Sequence, residues 1–243
     1  MSAQNSTPEI GEMIEASSTG RVAAKDLAML GQIEKKVRWL SSWTIHNTNH
    51  IRPKRDGIKV GGHQASCASM TTLMTALYFN VLRPQDRIAV KPHASPVFHA
   101  INYLFGRQTK EKLENFRAFG GAQSYPSRTK DGDVVDFSTG SVGLGAAVTN
   151  FAALTQDYLR YKDMLPRGEK PGRMVALVGD AELDEGNIYE ALLDTWKHDI
   201  RNVWWVIDYN RQSLDGMIDA RHWPVFPRGW LERDHDQIWS QTS

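Results

Sequence analysis

The residues best suited to chemistry lie in two short segments, Gly179-Asp180-Ala181-Glu182 and Asp208-Tyr209-Asn210-Arg211-Gln212. Each directly follows an apolar run of strand character, MVALV at 174–178 and VWWVID at 203–208, and a helical stretch over about 186–198 separates the two runs. That order is a βαβ unit, and a right-handed crossover makes the strands parallel, so both finish on the same edge of a sheet. Open α/β sheets bind their ligands at that edge. Asp180 and Asn210 stand thirty positions apart, and their oxygens can converge on one ion. A carboxylate, an amide oxygen and a main-chain carbonyl form a hard, incomplete octahedron that suits Mg²⁺ completed by phosphate oxygens. Gly179 permits close backbone approach to such a phosphate. Taken singly, Asp180 is also a helix cap and Asn210 a turn residue; their placement in paired loops at consecutive strand ends favours the ion. Glu182 fits two roles equally, a group standing behind the ion or an acid drawn to a helix N-terminus by the dipole.

Two histidines sit in loops that can hold an imidazole rigidly at a site. They are His63 in Val60-Gly61-Gly62-His63-Gln64-Ala65-Ser66, and His93 in Lys91-Pro92-His93-Ala94-Ser95-Pro96 just after a strand. An imidazole that is neutral near pH 7 can donate a hydrogen bond or move a proton. His46, His50, His99, His198, His222 and His235 read as surface or capping residues. Ser141-Val142-Gly143-Leu144-Gly145 begins a helix whose N–H groups and dipole could receive a phosphate, and it is equally well a tight loop-to-helix turn. Arg107, Arg117 and Arg128 are candidate carboxylate binders or solvated surface groups.

The elements that must position these groups follow from periodicity. Residues 1–24 are Ser-, Thr- and Gly-rich and are expected to form a mobile arm; 25–243 form the folded domain. Leu27, Leu30, Ile33, Val37 and Leu40 mark a first helix with Asp26 as candidate cap, and Ser66 to Leu82 a second, ending before Pro84. RIAVK at 87–91 reads as a strand, a further element covers about 96–105, and a charged helix covers about 109–117. The Gly-, Ser- and Asp-rich stretch 120–143 exceeds the usual connection length and reads as a functional loop, followed by a helix from Gly145 to about Tyr161. Strands alternating with helices predict an α/β fold with a parallel sheet and helices on both faces.

Bulk properties narrow the function classes. The 243 residues, 41% hydrophobic, suffice for one large core. With 29 Lys and Arg against 28 Asp and Glu, the formal charge of +1 gives no bulk field for nucleic acid or an acidic membrane. Cys67 is the only cysteine, which excludes an internal disulfide and a cysteine-based zinc site and fits a reducing, cytoplasmic compartment. It reads as a small buried group rather than a nucleophile. No apolar run approaches the roughly 18 residues of a membrane span, and the start lacks the regions of a secretory signal. The eight Trp, including Trp204-Trp205 in a strand and Trp223, Trp230 and Trp239 near the end, read as core and interface packing.

Gly179-Asp180 followed some thirty residues later by Asn210 resembles the thiamine-diphosphate signature shared by transketolases and 2-oxo acid decarboxylating enzymes. That resemblance implies the Asp180 and Asn210 side chains and the Gln212 carbonyl as Mg²⁺ ligands, with Gly179, Ala181 and Glu182 beside the diphosphate. Ala181 departs from the signature, which usually has a second glycine there, so an extra methyl must fit near the diphosphate. The two histidine segments, continuing through Asn102, Gly106-Arg107, Leu113, Asn115-Phe116-Arg117 and Ser124-Tyr125-Pro126, are similar to the amino-terminal domain of the homodimeric pyruvate dehydrogenase decarboxylating component, over roughly residues 30 to 216. The resemblance implies the thiamine-diphosphate-binding fold, contact of His63 and His93 with substrate, and a place beside the diphosphate for Ser141, Gly143 and Leu144. It further implies a 2-oxo acid substrate such as pyruvate, thiamine diphosphate and Mg²⁺ as cofactors, and homo- or hetero-oligomers. In that family a second domain supplies the glutamate that activates the aminopyrimidine ring, and nothing after Gly216 reads as such a domain. The expectation is a fragment or separate subunit that needs a partner chain. Transketolase-type ketol transfer and a noncatalytic scaffold are the alternatives.

Overall fold

In the computed structural model, residues 24–54, 56–131, 134–166, 168, 170–213 and 216–217 are described. The first long amphipathic run forms helix α1, Ala24–His46, extended by a π-turn over Asn47–Ile51. Val37 is buried, and Leu30, Ile33 and Leu40 pack beside it, the stripe expected of a helix with one core-facing side. Asp26 falls inside the first turn instead of capping it, where an acid still complements the dipole. Helix α2, Gln64–Ala76, also ends in a π-turn, Leu77–Val81, before Pro84. Strand β1, Arg87–Ala89, is shorter than its sequence pattern because Pro92 and the turn Pro92–Ala94 intervene. Helix α3 is Ser95–Leu104, so the element at 96–105 is a helix; eight of its residues, Ser95 to Asn102, are buried, which erases a polar face. The charged helix is one short piece, α4, Lys110–Glu114, capped by the Thr109 hydroxyl accepting from the Lys112 N–H.

Helix α5, Leu144–Tyr161, strand β2, Met174–Gly179, helix α6, Gly186–Lys197, and strand β3, Val203–Asp208, complete the architecture. The sheet order is β1-β2-β3, all parallel, with Arg87 opposite Met174 and Gly179 opposite Asp208. All six residues of β2 are buried, as a central parallel strand requires. One face of the sheet contributes Ile88, Val90, Val175 and Leu177 to a large cluster with Val37 of α1, Met70 and Met74 of α2 and Phe98 and Ile101 of α3. On the other face Met174 packs with Ala153 of α5 and Ile200. Helices therefore cover both faces of a parallel sheet, the expected α/β fold.

The described residues to Asn210 form one compact unit and those from Arg211 a second. In the second, β4, Gln212–Ser213, pairs antiparallel with β5, Gly216–Met217. The arm expected over 1–24, apart from residue 24, and His222, Trp223, Trp230, His235 and Trp239 lie outside the described residues. Among the described residues no helix is long and apolar enough to cross a membrane.

Candidate functional site

Gly179 and Asp208 are register partners, so the chain leaves β2 at Asp180 and passes Asn210 two positions beyond the end of β3. The two ligand candidates thus stand on neighbouring loops of one sheet edge. Asp180 is only 2% exposed, and its Oδ1 accepts the Ala181 N–H at 3.0 Å. It opens a 3-10 turn, Asp180–Asp184, rather than capping α6. Glu182, buried in that turn, accepts the Gly179 N–H through Oε2 at 3.4 Å, while Oε1 is buried with no hydrogen-bond partner. Burial pushes the Glu182 carboxyl up to about 7, against the Gly179 hydrogen bond and the nearby Lys91 charge. Gln212 belongs to the second unit, on β4.

A buried ion pair lies beneath this edge. The Lys91 ammonium, just past β1, donates to Asp208 Oδ2 at 2.8 Å, with both side chains at most 7% exposed. Ser69 Oγ of α2 donates to the same oxygen at 2.7 Å and Asn210 Nδ2 does so at 3.3 Å. Gly179 leaves room for this ammonium, because a Cβ there would lie 3.0 Å from Lys91 Cε and 3.2 Å from Nζ, a tight contact that the lysine would have to yield to. Lys91 and Asp208 stand in the quoted His93 and Asn210 segments, but nothing in the sequence pairs them or singles out Ser69. The one signal was position, since Lys91 and Asp208 each follow or end an apolar strand.

His63 and His93 meet, their rings stacked with centroids 4.1 Å apart. The His63 loop is clamped from both sides. The Asn49 amide accepts the Gly61 N–H and donates to the Gly61 carbonyl, each at 3.0 Å, and Arg117 Nη1 donates to the Val60 carbonyl at 2.9 Å. Gly61, at φ 98°, has no Cβ to obstruct that guanidinium. Cys67 is buried, its thiol 3.5 Å from the His93 carbonyl, and burial pushes that thiol up to about 12, so it serves as an inert packing group. His63 is held below the ordinary imidazole value by burial first and then by the Arg117 and Lys91 charges. His93 is lowered to about 4 by burial, then by His63, Lys91 and Arg117. Both rings are therefore neutral at pH 7 and able to donate from one nitrogen and accept at the other.

The start of α5 reaches the same sheet edge. Thr139 Oγ1 donates to the Val90 carbonyl at 3.0 Å, and Gly145 lies against Ala89 at the end of β1. Ser141 to Gly143 form the turn before the helix, with Gly143 left-handed at φ 76° and too close to Asn187 and Ile188 of α6 to carry a side chain. Asn187 Nδ2 donates to the Val142 carbonyl at 2.8 Å, and its Oδ1 is buried without a partner. The first N–H groups of α5, the buried Asp180 carboxylate and the adjacent Asn210 amide are chemically matched to a diphosphate and a hard divalent cation. The half-buried Ala181 adds its methyl to this loop.

Other candidates go elsewhere. Arg107 stacks on Phe105 at 5.0 Å and Arg128 Nη1 donates to the Asp136 carbonyl at 3.2 Å, so neither joins the histidine pair. His99, expected at the surface, is fully buried, with Nε2 2.7 Å from the Gln123 carbonyl and Nδ1 3.0 Å from Gln108 Nε2; it holds the 120–143 loop to α3. Trp205 Nε1 donates to Asn150 Oδ1 at 3.2 Å, while Trp204 is 41% exposed with the Arg173 guanidinium 4.2 Å from its ring.

Comparison with known proteins accords with this fold. A family model described as 1-deoxy-D-xylulose-5-phosphate synthase matches residues 55–222. The pyruvate dehydrogenase E1 component of Escherichia coli is 28% identical over 202 residues, covering 79% of this chain and 22% of that protein. The component of the same name from Pseudomonas aeruginosa is 32% identical over 203 residues, again 79% and 22%. Among solved structures, transketolase from Leishmania mexicana superposes with a TM-score of 0.65 at 20% identity, over 77% of this chain and 28% of that one, a likeness of fold. The chain belongs to the thiamine-diphosphate-binding amino-terminal domain family of transketolase, the pyruvate dehydrogenase E1 component and 1-deoxy-D-xylulose-5-phosphate synthase. It spans about a fifth of the length of the curated relatives it matches. The family uses thiamine diphosphate and Mg²⁺.

Proposed function

We propose that this chain forms the diphosphate- and Mg²⁺-holding part of a 2-oxo acid decarboxylating enzyme, with pyruvate as substrate. The observation that carries this is the meeting, on one sheet edge, of the Asp180 and Asn210 loops with the start of α5, next to a stacked pair of neutral histidines. Asp180 Oδ and Asn210 Oδ1 would hold the metal, and Gly179 and the first N–H groups of α5 would receive the diphosphate. When bound, thiamine diphosphate supplies the carbon nucleophile and the electron sink for loss of CO₂ from the substrate. The chain's own part is positioning and charge. His63 and His93 donate hydrogen bonds from ring N–H groups toward the substrate carbonyl oxygen, where negative charge builds. The activating glutamate comes from further protein, on the same polypeptide or a partner chain.

Ketol transfer between sugar phosphates would need cations aimed at a phosphate. The cations nearest the histidines are committed otherwise, Lys91 to Asp208 and Arg117 to the Val60 carbonyl. Substrate class is tested on the assembly purified from its native cells, supplied with thiamine diphosphate and Mg²⁺. Release of labelled CO₂ from pyruvate, absent from the isolated chain, is the expected result; sedoheptulose 7-phosphate formed from pentose phosphates, with no CO₂, would overturn it.

A further inference from the structure

Asn210 has two faces, and Asp208 meets one of them. An amide offers an NH₂ on one side and a carbonyl oxygen on the other, and a rotation of half a turn exchanges them. Only the oxygen can bind a hard cation. In this chain Asn210 Nδ2 lies 3.3 Å from Asp208 Oδ2. A carboxylate accepts and cannot donate, so the NH₂ must face it and Oδ1 must face away. The carboxylate is itself immobilised, because the same oxygen accepts from Ser69 Oγ at 2.7 Å on α2 and from Lys91 Nζ at 2.8 Å beyond β1. Lys91 passes beside Gly179 at the end of β2. One ammonium thereby straps the ends of all three strands, and its charge balances that of Asp208 in a buried place.

We infer that Asp208, held by Lys91 and Ser69, is a positioning residue that presents Asn210 Oδ1 to the cation and so sets the Mg²⁺ affinity of the cofactor site. This rests on the metal-binding reading given above. Groups that orient a ligand from behind typically change metal affinity by about 10- to 100-fold when removed. A purely structural ion pair would instead change folding and leave the affinity of the folded protein alone.

The test is calorimetric titration of Mg²⁺ into the full chain with saturating thiamine diphosphate, alongside thermal melting without metal. The paired substitution Lys91→Met with Asp208→Leu leaves no buried charge unbalanced, so the fold is retained. The Mg²⁺ concentration at half-saturation is expected to rise about 10- to 100-fold, with little change in melting temperature. Asp208→Asn, which keeps the shape, is expected to weaken Mg²⁺ in the same direction by less. A second readout needs no metal: the Asn210 side-chain amide protons should exchange slowly in the wild type by NMR and rapidly in the paired variant. Unchanged Mg²⁺ affinity in both variants, while Asp180→Ala loses binding, would overturn the role of Asp208 and leave the proposed function standing. No metal-dependent binding by the wild type would overturn both.

Discussion

The two faces of the sheet are built unequally, and each carries a different half of the candidate site. On one face α1, α2 and α3 share a continuous apolar cluster with Ile88, Val90, Val175 and Leu177, and the loops of His63 and His93 rise directly from it. On the other, α6 buries only Ile188 and Ala191 and exposes Leu193 and Trp196, while α5 exposes Phe151 and Tyr158. That thinner face carries the start of α5 and the Asp180 turn. His63 and His93 therefore stand beside the larger core. Among the described residues the face carrying the Asp180 turn buries fewer apolar side chains in its cluster, and it is the half that a bound ligand would stabilise.

The sharpest way to break this contrast is to cut into each face in turn. Phe98→Ala, at a position 1% exposed in the larger cluster, should cost about 3–5 kcal/mol in urea unfolding, because the cavity cannot collapse. A loss below about 1 kcal/mol would mean the cluster is not packed as described. Asn49→Ala removes the amide that satisfies both backbone groups of Gly61, and should cost about 1–3 kcal/mol; amide exchange at Gly61 and His63 should quicken with it. Acid provides a gentler probe of the same half. His93 titrates near 6.5 in the unfolded chain and near 4 when folded, so between those values only the unfolded chain takes up the proton. Stability is thus complete above about pH 6.5 and declines as pH falls toward 4, and His93→Gln should flatten that decline in melting temperature. Leu193→Gln on the thin face should stay within about 0.5 kcal/mol of wild type. A larger loss there would erase the difference between the faces.

Much of this architecture was legible from the residues alone. The βαβ unit from Met174 to Asp208 has strands and a helix of ordinary length with clean apolar runs, and its observed bounds match the reading to within a residue. The stacking of His63 on His93 was not legible, since the sequence placed each only in a loop suited to a site. What escaped was set by contacts distant in sequence. The Lys91–Asp208 pair joins residues 117 positions apart, and no local pattern announces a buried ion pair. The Asn49 clamp on Gly61 depends on the π-turn that ends α1, a departure in hydrogen bonding that composition does not encode. The Gln212–Met217 pairing was missed because two-residue strands lack any measurable alternation. His99 was assigned to the surface on residue type, whereas the helix carrying it is buried on all sides over most of its length.

The central claim is that the Asp180 edge holds a diphosphate through a divalent cation. It is tested most directly by calorimetry of thiamine diphosphate with the full chain, in Mg²⁺ and then in EDTA, repeated with Asp180→Ala. The account predicts binding in Mg²⁺ that disappears in EDTA and in the variant; cofactor binding of equal strength in all three samples, or none in any, would contradict it.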